Sequence, residues 1–399
     1  MHRSVYSTAI LDDLREQLEY AGTLELYANR FEEAGFDPTA LESWSDFEGI
    51  PFTTGADIVA DIETDPPEGT LYPGGSMLSF TPSGDNIFPV FETERDLEVY
   101  AAVNARIFEA GGIEPGDRVL VTFGYHLLGT GYVLHRGLEE LGAEIIPAGP
   151  GNTEQTARIV DEYGVDALMA NPSFAMKLAE EIDSDISLFA GAGEPFTSVP
   201  GMRAEVKDAL GAETAFDFFG TRWSGNVAAE CAGETGMHVA TDLAIIEIID
   251  PDTEAVLPPG KQGEIVVTHR RKEGMPLVRY RTGDLGQLTD EPCETCGRSV
   301  TLPGGILGRT DNRVKAKGVK LYPGSINSVL SGFDGLSGEF RVEVTQPDST
   351  DHIRVICQGT APREELRSAL TNRLLIEPDV IEFVEEVPDG PIVVDERYS

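Results

Sequence analysis

Lysine, and basic charge in general, is scarce in this chain. Its 399 residues include 30 Lys and Arg against 69 Asp and Glu, a formal net charge of -39 at pH 7. Such a polyanion repels phosphate backbones and anionic lipid surfaces, which argues against nucleic acid or a membrane as a partner. The acidic residues are spread along the chain. They predict either a surface adapted to concentrated salt, as in halophiles, or an ordinary acidic cytosolic protein.

Long apolar runs are also missing. No stretch approaches the ~18 residues of a membrane-spanning helix, and no signal-type apolar core follows Met1. We therefore expect a cytoplasmic protein. The hydrophobic content of 41% still supports a sizeable buried core, and 399 residues suffice for one large domain and a smaller one.

Cysteine is rare, and its spacing is more informative than its number. Four cysteines do not make a disulfide framework in a chain of this size. Cys231, Cys293, Cys296 and His238 supply three thiolates and an imidazole, with a Cys-x-x-Cys spacing. This set predicts a structural zinc site between the segments at Cys231 and Cys293, closed by four ligands and therefore not catalytic. Cys357 lies in an apolar run and is expected in the core.

The order of the hydrophobic patterns predicts an α/β fold. Residues 8–48 have helical spacing and predict a helical N-terminal cap of about 50 residues. An apolar strand at 76–80 then enters a loop, and a helix begins near Thr93. From residue 312 to 399, apolar and polar positions alternate around one helix, Arg363–Leu374, which predicts a small α+β domain. Buried strands alternating with helices are predicted at 117–123, 143–149, 166–170, 187–193 and 214–220.

The clearest functional pattern lies between Gly236 and Pro323. It contains YRTGDL from Tyr280 to Leu285, then GRTD from Gly308 to Asp311, then KAKGVKLYP up to Pro323. Thr-Gly-Asp alone is also good turn chemistry. In this order and spacing, however, the segments resemble the adenylate-forming ligases. Within them, they resemble the branch of phenylacetate-CoA ligases and deazaflavin coenzyme adenylyltransferases. The resemblance covers the central third closely and the whole chain loosely.

The resemblance implies an α/β fold with a large N-terminal adenylate-forming domain and a small mobile α+β C-terminal domain. The first would span residues 1–308, with the helical cap at about 1–50, and the second residues 309–399. Asp311 would be the hinge between two domain orientations.

The resemblance also implies a nucleotide site. Asp284 would accept hydrogen bonds from the ribose hydroxyls, and Arg309 would contact the nucleotide. Phe219 would stack on the base, with Gly220 allowing close approach. The remaining implied nucleotide contacts are a turn against the adenine, Gly193-Glu194-Pro195, and a pyrophosphate loop that retains Ser83 and Gly84.

The acyl and CoA sites are implied by two further segments. Residues 125–155 resemble the segment that lines the acyl pocket, where Tyr125 and His126 are polar candidates, while Phe123 is expected in the core. Gly318 would allow close approach of the pantetheine arm. Lys320, with Lys315 and Lys317, would offer a contact for a CoA phosphate.

The chain departs from the family pattern at three places. The lysine of the phosphate loop is Phe88 here, and the glutamate that helps hold Mg²⁺ is Trp223. The C-terminal lysine that bridges the substrate carboxylate and the α-phosphate is missing, because no lysine follows Lys320. These groups belong to the adenylation half-reaction, so the place of Mg²⁺ among the implied cofactors is put in doubt.

Two functions follow. The resemblance implies ATP-dependent activation of a carboxylic acid through an acyl adenylate, followed by transfer to CoA. Its cofactors would be ATP/AMP, Mg²⁺, CoA and structural zinc, and its partners a small-molecule acid and CoA. The alternative is a degenerate paralogue that binds AMP, an acyl adenylate or CoA without adenylating, as a sensor or accessory subunit. An intermediate case keeps only the thioester half-reaction. The oligomeric state is not predicted.

Overall fold

The structure is a computed structural model that describes most of the chain. The described residues are 6, 7, 9–72, 74, 75, 77–83, 86–199, 201–310, 314–316, 319–321, 323–333, 335–346, 351–374, 377–388, 390 and 392–395. Among them, no helix is long and apolar enough to cross a membrane.

The N-terminal segment is helical because its apolar residues recur at helical spacing. In α1 (Ile10–Ala21), Leu11, Leu14 and Leu18 lie on one buried face. The helical region extends beyond the predicted limit near residue 50, because Thr54 and Asp57 form a capping box that starts one more helix. The further helices are α2 (Glu25–Ala34), α3 (Trp44–Glu48) and α4 (Gly55–Thr64), with a 3-10 turn at Pro38–Ala40.

A β-hairpin follows the cap. Strands β1 (Met77–Ser83) and β2 (Asn86–Glu92) pair antiparallel, from Met77 opposite Glu92 to Ser83 opposite Asn86. The predicted loop after residue 80 is therefore wrong for most of its length, because its apolar residues pair with β1. Helix α5 (Glu94–Gly111) then begins as predicted, with Thr93 as its N-cap.

The predicted alternation of strands and helices is confirmed in the next hundred residues. The strands β3 to β7 are buried, except for the short β4, and run parallel to one another in the order β4-β3-β5-β6-β7. The elements are β3 (Arg118–Val121), α6 (Thr130–Leu141), β4 (Glu144–Ile146), α7 (Thr153–Tyr163), β5 (Ala167–Ala170), α8 (Pro172–Ala179), β6 (Leu188–Gly191), α9 (Met202–Leu210) and β7 (Thr214–Thr221).

The following strands extend this sheet and build a second one. The large sheet has the order β13-β9-β8-β7-β6-β5-β3-β4, and the second sheet the order β10-β11-β12-β14. The strands are β8 (Gly225–Ala229), β9 (Met237–Val239), β10 (Ala244–Ile249), β11 (Gln262–His269), β12 (Tyr280–Gln287), β13 (Thr301–Leu302) and β14 (Gly308–Arg309).

The C-terminal residues fold around their own apolar core. This core contains Cys357, which is fully buried as predicted, together with residues that precede and follow it in the chain and that come from helices and strands. Helix α11 (Arg363–Leu374) has its predicted bounds. The prediction of a single helix is wrong, because a short helix, α10 (Pro323–Leu330), precedes it. The strands are β15 (Val314–Ala316), β16 (Val319–Leu321), β17 (Leu336–Thr345), β18 (His352–Gly359), β19 (Val380–Val384) and β20 (Val393–Asp395), with a sheet order β19-β18-β17-β20.

The chain divides into two compact units. The first comprises Met1–Glu194, Val206–Thr282 and Gly286–Gly305, and the second comprises Pro195–Glu205, Gly283–Leu285 and Ile306–Ser399. The predicted boundary between residues 308 and 309 stays a prediction, since this partition assigns two earlier segments to the second unit as well.

Candidate functional site

The residues predicted to hold the phosphates lie at the tip of the hairpin. Ser83 is the last residue of β1, opposite Asn86, while Gly84 lies outside the described residues. Phe88, in the place of the loop lysine, is buried within the apolar core of the helical cap. A lysine ammonium at that point of the backbone would have to leave this core. Phe88 therefore offers no cation in the place of the loop lysine.

The turn predicted to pack against the adenine is tied to helix α8. The Glu194 carboxylate accepts hydrogen bonds from Ser173 Oγ at 2.7 Å and from the Ser173 backbone N–H at 3.1 Å. The Asn171 side chain donates to the Ala192 carbonyl at 3.1 Å. Glu194 thus acts as an anion at a helix N-terminus, which orients the exposed Gly193-Glu194-Pro195 turn.

Phe219 and Gly220 lie at the end of β7, where the chain turns sharply into β8. Gly220 is exposed, and a Cβ there would come within 2.0 Å of the Gly225 carbonyl oxygen, so only glycine fits this turn. Phe219 is 9% exposed. Trp223, in the place of the magnesium glutamate, is buried in the cap core, with its ring edge-on to Tyr280 at 5.8 Å between centroids. Its side chain offers the site no metal ligand.

Asp284 and Arg309, predicted from separate motifs, are brought together by strand pairing. They are direct partners in the antiparallel ladder of β12 and β14, and Arg309 Nη1 donates to Asp284 Oδ1 at 3.1 Å. Gly283 has a φ of +76°, and a side chain there would meet Arg309 Nη2. The Asp284 carboxylate is mostly buried, whereas the Arg309 side chain is 51% exposed. The pair therefore presents an exposed cation beside an oriented carboxylate.

The candidate acyl segment contains a contact that the sequence did not indicate. Tyr125 Oη lies 3.2 Å from His135 Nδ1, on helix α6, and burial raises the pKa of Tyr125 to about 12. His126, the residue singled out from sequence, is exposed. Phe123 is half-buried, with its ring 6.3 Å from that of Phe218. His135 carried no sequence signal because its partner is ten residues away, a distance that neither helix nor strand periodicity connects.

The cysteine–histidine cluster is assembled from two segments of the first unit. The candidate ligand atoms of Cys231, His238, Cys293 and Cys296 all lie within 4.8 Å of one another. His238 Nε2 is 3.4 Å from Cys231 Sγ and 3.3 Å from Cys296 Sγ, and the sulfurs of Cys231 and Cys293 are 3.9 Å apart. For Zn–S bonds of about 2.3 Å, a tetrahedron has S···S edges of about 3.8 Å. The donor set and its spacing thus fit zinc.

The protonation of these groups is shifted by their surroundings. The hydrogen bond from Thr235 is the main cause that lowers the pKa of the Cys293 thiol to about 6. Burial raises the pKa of Cys231 to about 11 and lowers that of His238 to about 4. A neutral imidazole and one ready thiolate favour metal binding, and a bound cation would favour the thiolate form of the others.

The remaining predicted residues lie in the second unit. Lys320 is on β16, opposite Lys315 on β15. Asp311, Gly318 and Lys317 lie outside the described residues.

Comparison with known proteins shows to which family the chain belongs. No protein-family model matches it. It is 33% identical to the phenylacetate-coenzyme A ligase of Thermus thermophilus over 350 residues, which are 84% of this chain and 77% of that one. The enzyme of the same name from Escherichia coli is 31% identical over 348 residues, with coverages of 83% and 77%. A solved structure of 2-hydroxyisobutyryl-CoA ligase in complex with 2-HIB-AMP superposes with a TM-score of 0.82 at 26% identity, covering 98% of this chain and 89% of that one.

The mixed α/β fold is therefore that of an adenylate-forming enzyme, as predicted. The chain belongs to the phenylacetate-CoA ligase family. It is an acid–thiol ligase, which activates a carboxylic acid with ATP through an acyl adenylate and transfers the acyl group to CoA.

Proposed function

We propose that the acid is phenylacetate or a closely similar aryl acid. The support is identity of 30% or more to four phenylacetate-coenzyme A ligases over at least 82% of this chain. The geometry that carries the nucleotide role is the pair of Asp284 and Arg309, 3.1 Å apart on adjacent strands. A carboxylate held in this way is suited to the ribose hydroxyls, and the half-exposed guanidinium to a phosphate.

The test is acid-dependent release of pyrophosphate in molar KCl, with a panel of aryl and short aliphatic acids. We expect turnover with aryl acids, and formation of the thioester when CoA is added. Turnover with aliphatic hydroxy acids alone would contradict the proposed substrate. Binding of AMP in a calorimeter without turnover of any acid would instead support the paralogue that does not adenylate. Transfer from a supplied acyl adenylate to CoA, without ATP turnover, would support the thioester half-reaction alone.

Magnesium is proposed to enter with the ATP phosphates. Trp223 replaces the carboxylate that the resemblance assigns to the metal, so we expect the cation to be held mainly by phosphate oxygens and water. Titration of Mg²⁺ against pyrophosphate release tests this proposal. Tight binding of Mg²⁺ to the protein in the absence of ATP would contradict it.

The roles of three residues in the second unit are also proposals. Asp311 is proposed as the hinge between the residue 1–308 and 309–399 domains, Gly318 as a contact of the pantetheine arm, and Lys320 as a contact of a CoA phosphate. Since ATP and CoA are metabolites of the cell interior, we propose a cytoplasmic location.

Zinc is proposed at the cysteine–histidine cluster, where it would join the turn after β8 and strand β9 to the segment before β13. We expect about one equivalent of zinc in protein purified without added metal. Cys293→Ser should lose the metal and unfold at lower temperature, whereas Cys357→Ala, which removes a cysteine outside the cluster, should keep it. Metal analysis and thermal unfolding measure both effects. Less than about half an equivalent of zinc in well-folded protein would contradict the site.

A further inference from the structure

The side chain of Arg222 connects three segments that are distant in sequence. It lies on the turn between β7 and β8, two residues after Gly220, and is only 10% exposed. Its Nη1 lies 2.7 Å from Glu92 Oε1, and its Nη2 donates to Glu92 Oε2 at 2.8 Å. Nη2 also donates to Ser79 Oγ, and Nε donates to the Leu128 carbonyl at 2.8 Å. One guanidinium thus holds both strands of the hairpin and a loop before α6.

Arg222 does not act as a free cation, because its charge is paired with that of Glu92. The Glu92 side chain is 0% exposed, and its two oxygens face the two terminal nitrogens of Arg222. A bidentate pair of this kind is neutral as a whole and directional, because both groups are planar. Its contribution is therefore to fix positions, and not to supply charge to a substrate phosphate.

The connected hairpin and loop both carry candidate site residues. Ser79 and Glu92 belong to the two strands whose tip contains Ser83, the candidate phosphate contact. Leu128 lies in the candidate acyl segment, and its neighbour Leu127 accepts a hydrogen bond from the Phe80 backbone N–H at 2.9 Å. The acyl segment is therefore joined to the hairpin by a backbone hydrogen bond and by Arg222.

We propose that Arg222 is a positioning residue for the ligase reaction, which fixes the position of the β1–β2 hairpin relative to the candidate acyl segment. The inference rests on the proposed function of these segments. Arginine is required because its Nε–H and its two terminal nitrogens point in fixed directions toward three partners at once. Lysine would keep the charge beside Glu92 but would not reproduce this fork.

The conservative variant Arg222→Lys separates positioning from charge. We expect its kcat/KM to fall by about tenfold or more for both ATP and the acid, since small displacements of reacting groups cost rate. The matched control is Arg279→Lys. Arg279 forms another buried bidentate pair, with Glu247 at 3.1 and 3.0 Å, but its contacts lead to the carbonyls of Glu48 and Ile50 in the cap. The Arg279→Lys variant should have a lower melting temperature but an unchanged kcat/KM.

A second measurement is independent of activity. In hydrogen–deuterium exchange, Arg222→Lys should speed the exchange of backbone amides in both residues 77–92 and residues 124–131, and Arg279→Lys should not. Unchanged exchange in these two segments would overturn the positioning role, even for a protein that shows no turnover. If Arg222→Lys speeds exchange in both segments but keeps the wild-type kcat/KM, the link between this positioning role and the reaction is overturned. If the wild-type protein adenylates no acid while Arg222→Lys loosens both segments, the proposed function fails but the structural connection stands.

Discussion

Asp284 is the residue that we propose to bind the ribose hydroxyls of the nucleotide. It is mostly buried and paired with Arg309, which is half-exposed and so loses little when its partner is removed. We expect Asp284→Ala to weaken AMP binding by about 10- to 100-fold, because hydrogen bonds to a charged group are worth about 1.5–3 kcal/mol. Calorimetric titration measures this effect. Asp242→Asn is the control, since Asp242 pairs with Arg106 on the surface, and an equal loss of affinity there would contradict the specific role of Asp284.

We expect His269 to make the stability of the first unit sensitive to acid. It is fully buried, its Nε2 lies 3.0 Å from the Ser224 carbonyl oxygen, and its Nδ1 accepts from the Leu277 N–H at 2.9 Å. Burial is the main cause that lowers its pKa to about 3. The unfolded chain therefore takes up a proton near pH 6.5 that the folded chain does not, so stability falls as pH falls from about 6.5 towards 3.

The variant His269→Gln tests this linkage. Between pH 7 and about 5, its free energy of unfolding should fall less steeply than that of the wild type, by up to about 1.4 kcal/mol per pH unit. Urea unfolding at several pH values measures the two curves. Parallel curves would show that His269 takes no part in the acid sensitivity.

At the scale of elements, the start of α5 is held by more than its own cap. Thr93 and Asp96 form a capping box, and Asp96 also accepts from the backbone N–H groups of Glu273 and Gly274 at 2.8 Å each. The buried ammonium of Lys272 lies 4.0 Å from the same carboxylate. This carboxylate therefore anchors the helix that follows the β1–β2 hairpin to a loop some 180 residues away in the chain.

The two residues should differ in their effect on stability. Thr93→Ala removes one cap interaction and the hydrogen bond that the Thr93 hydroxyl donates to Glu273 Oε2 at 3.0 Å, and should lower the free energy of unfolding by about 1–2 kcal/mol. Asp96→Ala should cost about 3 kcal/mol or more, because it leaves backbone donors and a buried cation without their acceptor. Urea unfolding at pH 7 compares the variants. An Asp96→Ala loss no larger than that of Thr93→Ala would contradict the larger role of the Asp96 carboxylate.

At the scale of the whole molecule, the net charge of -39 is the dominant electrostatic property. Mutual repulsion of this charge disfavours the compact state, and salt screens it as the Debye length shrinks from about 10 Å at 0.1 M to about 3 Å at 1 M. We expect the melting temperature to rise over this range of KCl. A melting temperature that does not respond to KCl would favour an ordinary acidic protein over one adapted to concentrated salt.

The sequence alone determined the elements whose signals are local. The start of α5 follows from its capping residue, Thr93. The bounds of α11 follow from the helical spacing of its residues. Strand β2 was missed because an apolar run containing Pro89 becomes a strand only when β1 lies beside it. Helix α10, only eight residues long, has too few turns to show a period.

The same division holds for the candidate site. Residue type and motif order were enough to single out Asp284, Arg309 and the three cysteines with His238, and with them the family to which the chain belongs. Only the tertiary structure decided that Asp284 and Arg309 are paired across β12 and β14, and that Arg222 meets residues 94 to 143 positions away. The physical reason is that chemistry is carried by the individual side chain, whereas such contacts depend on strand pairing and burial between segments that no local pattern connects.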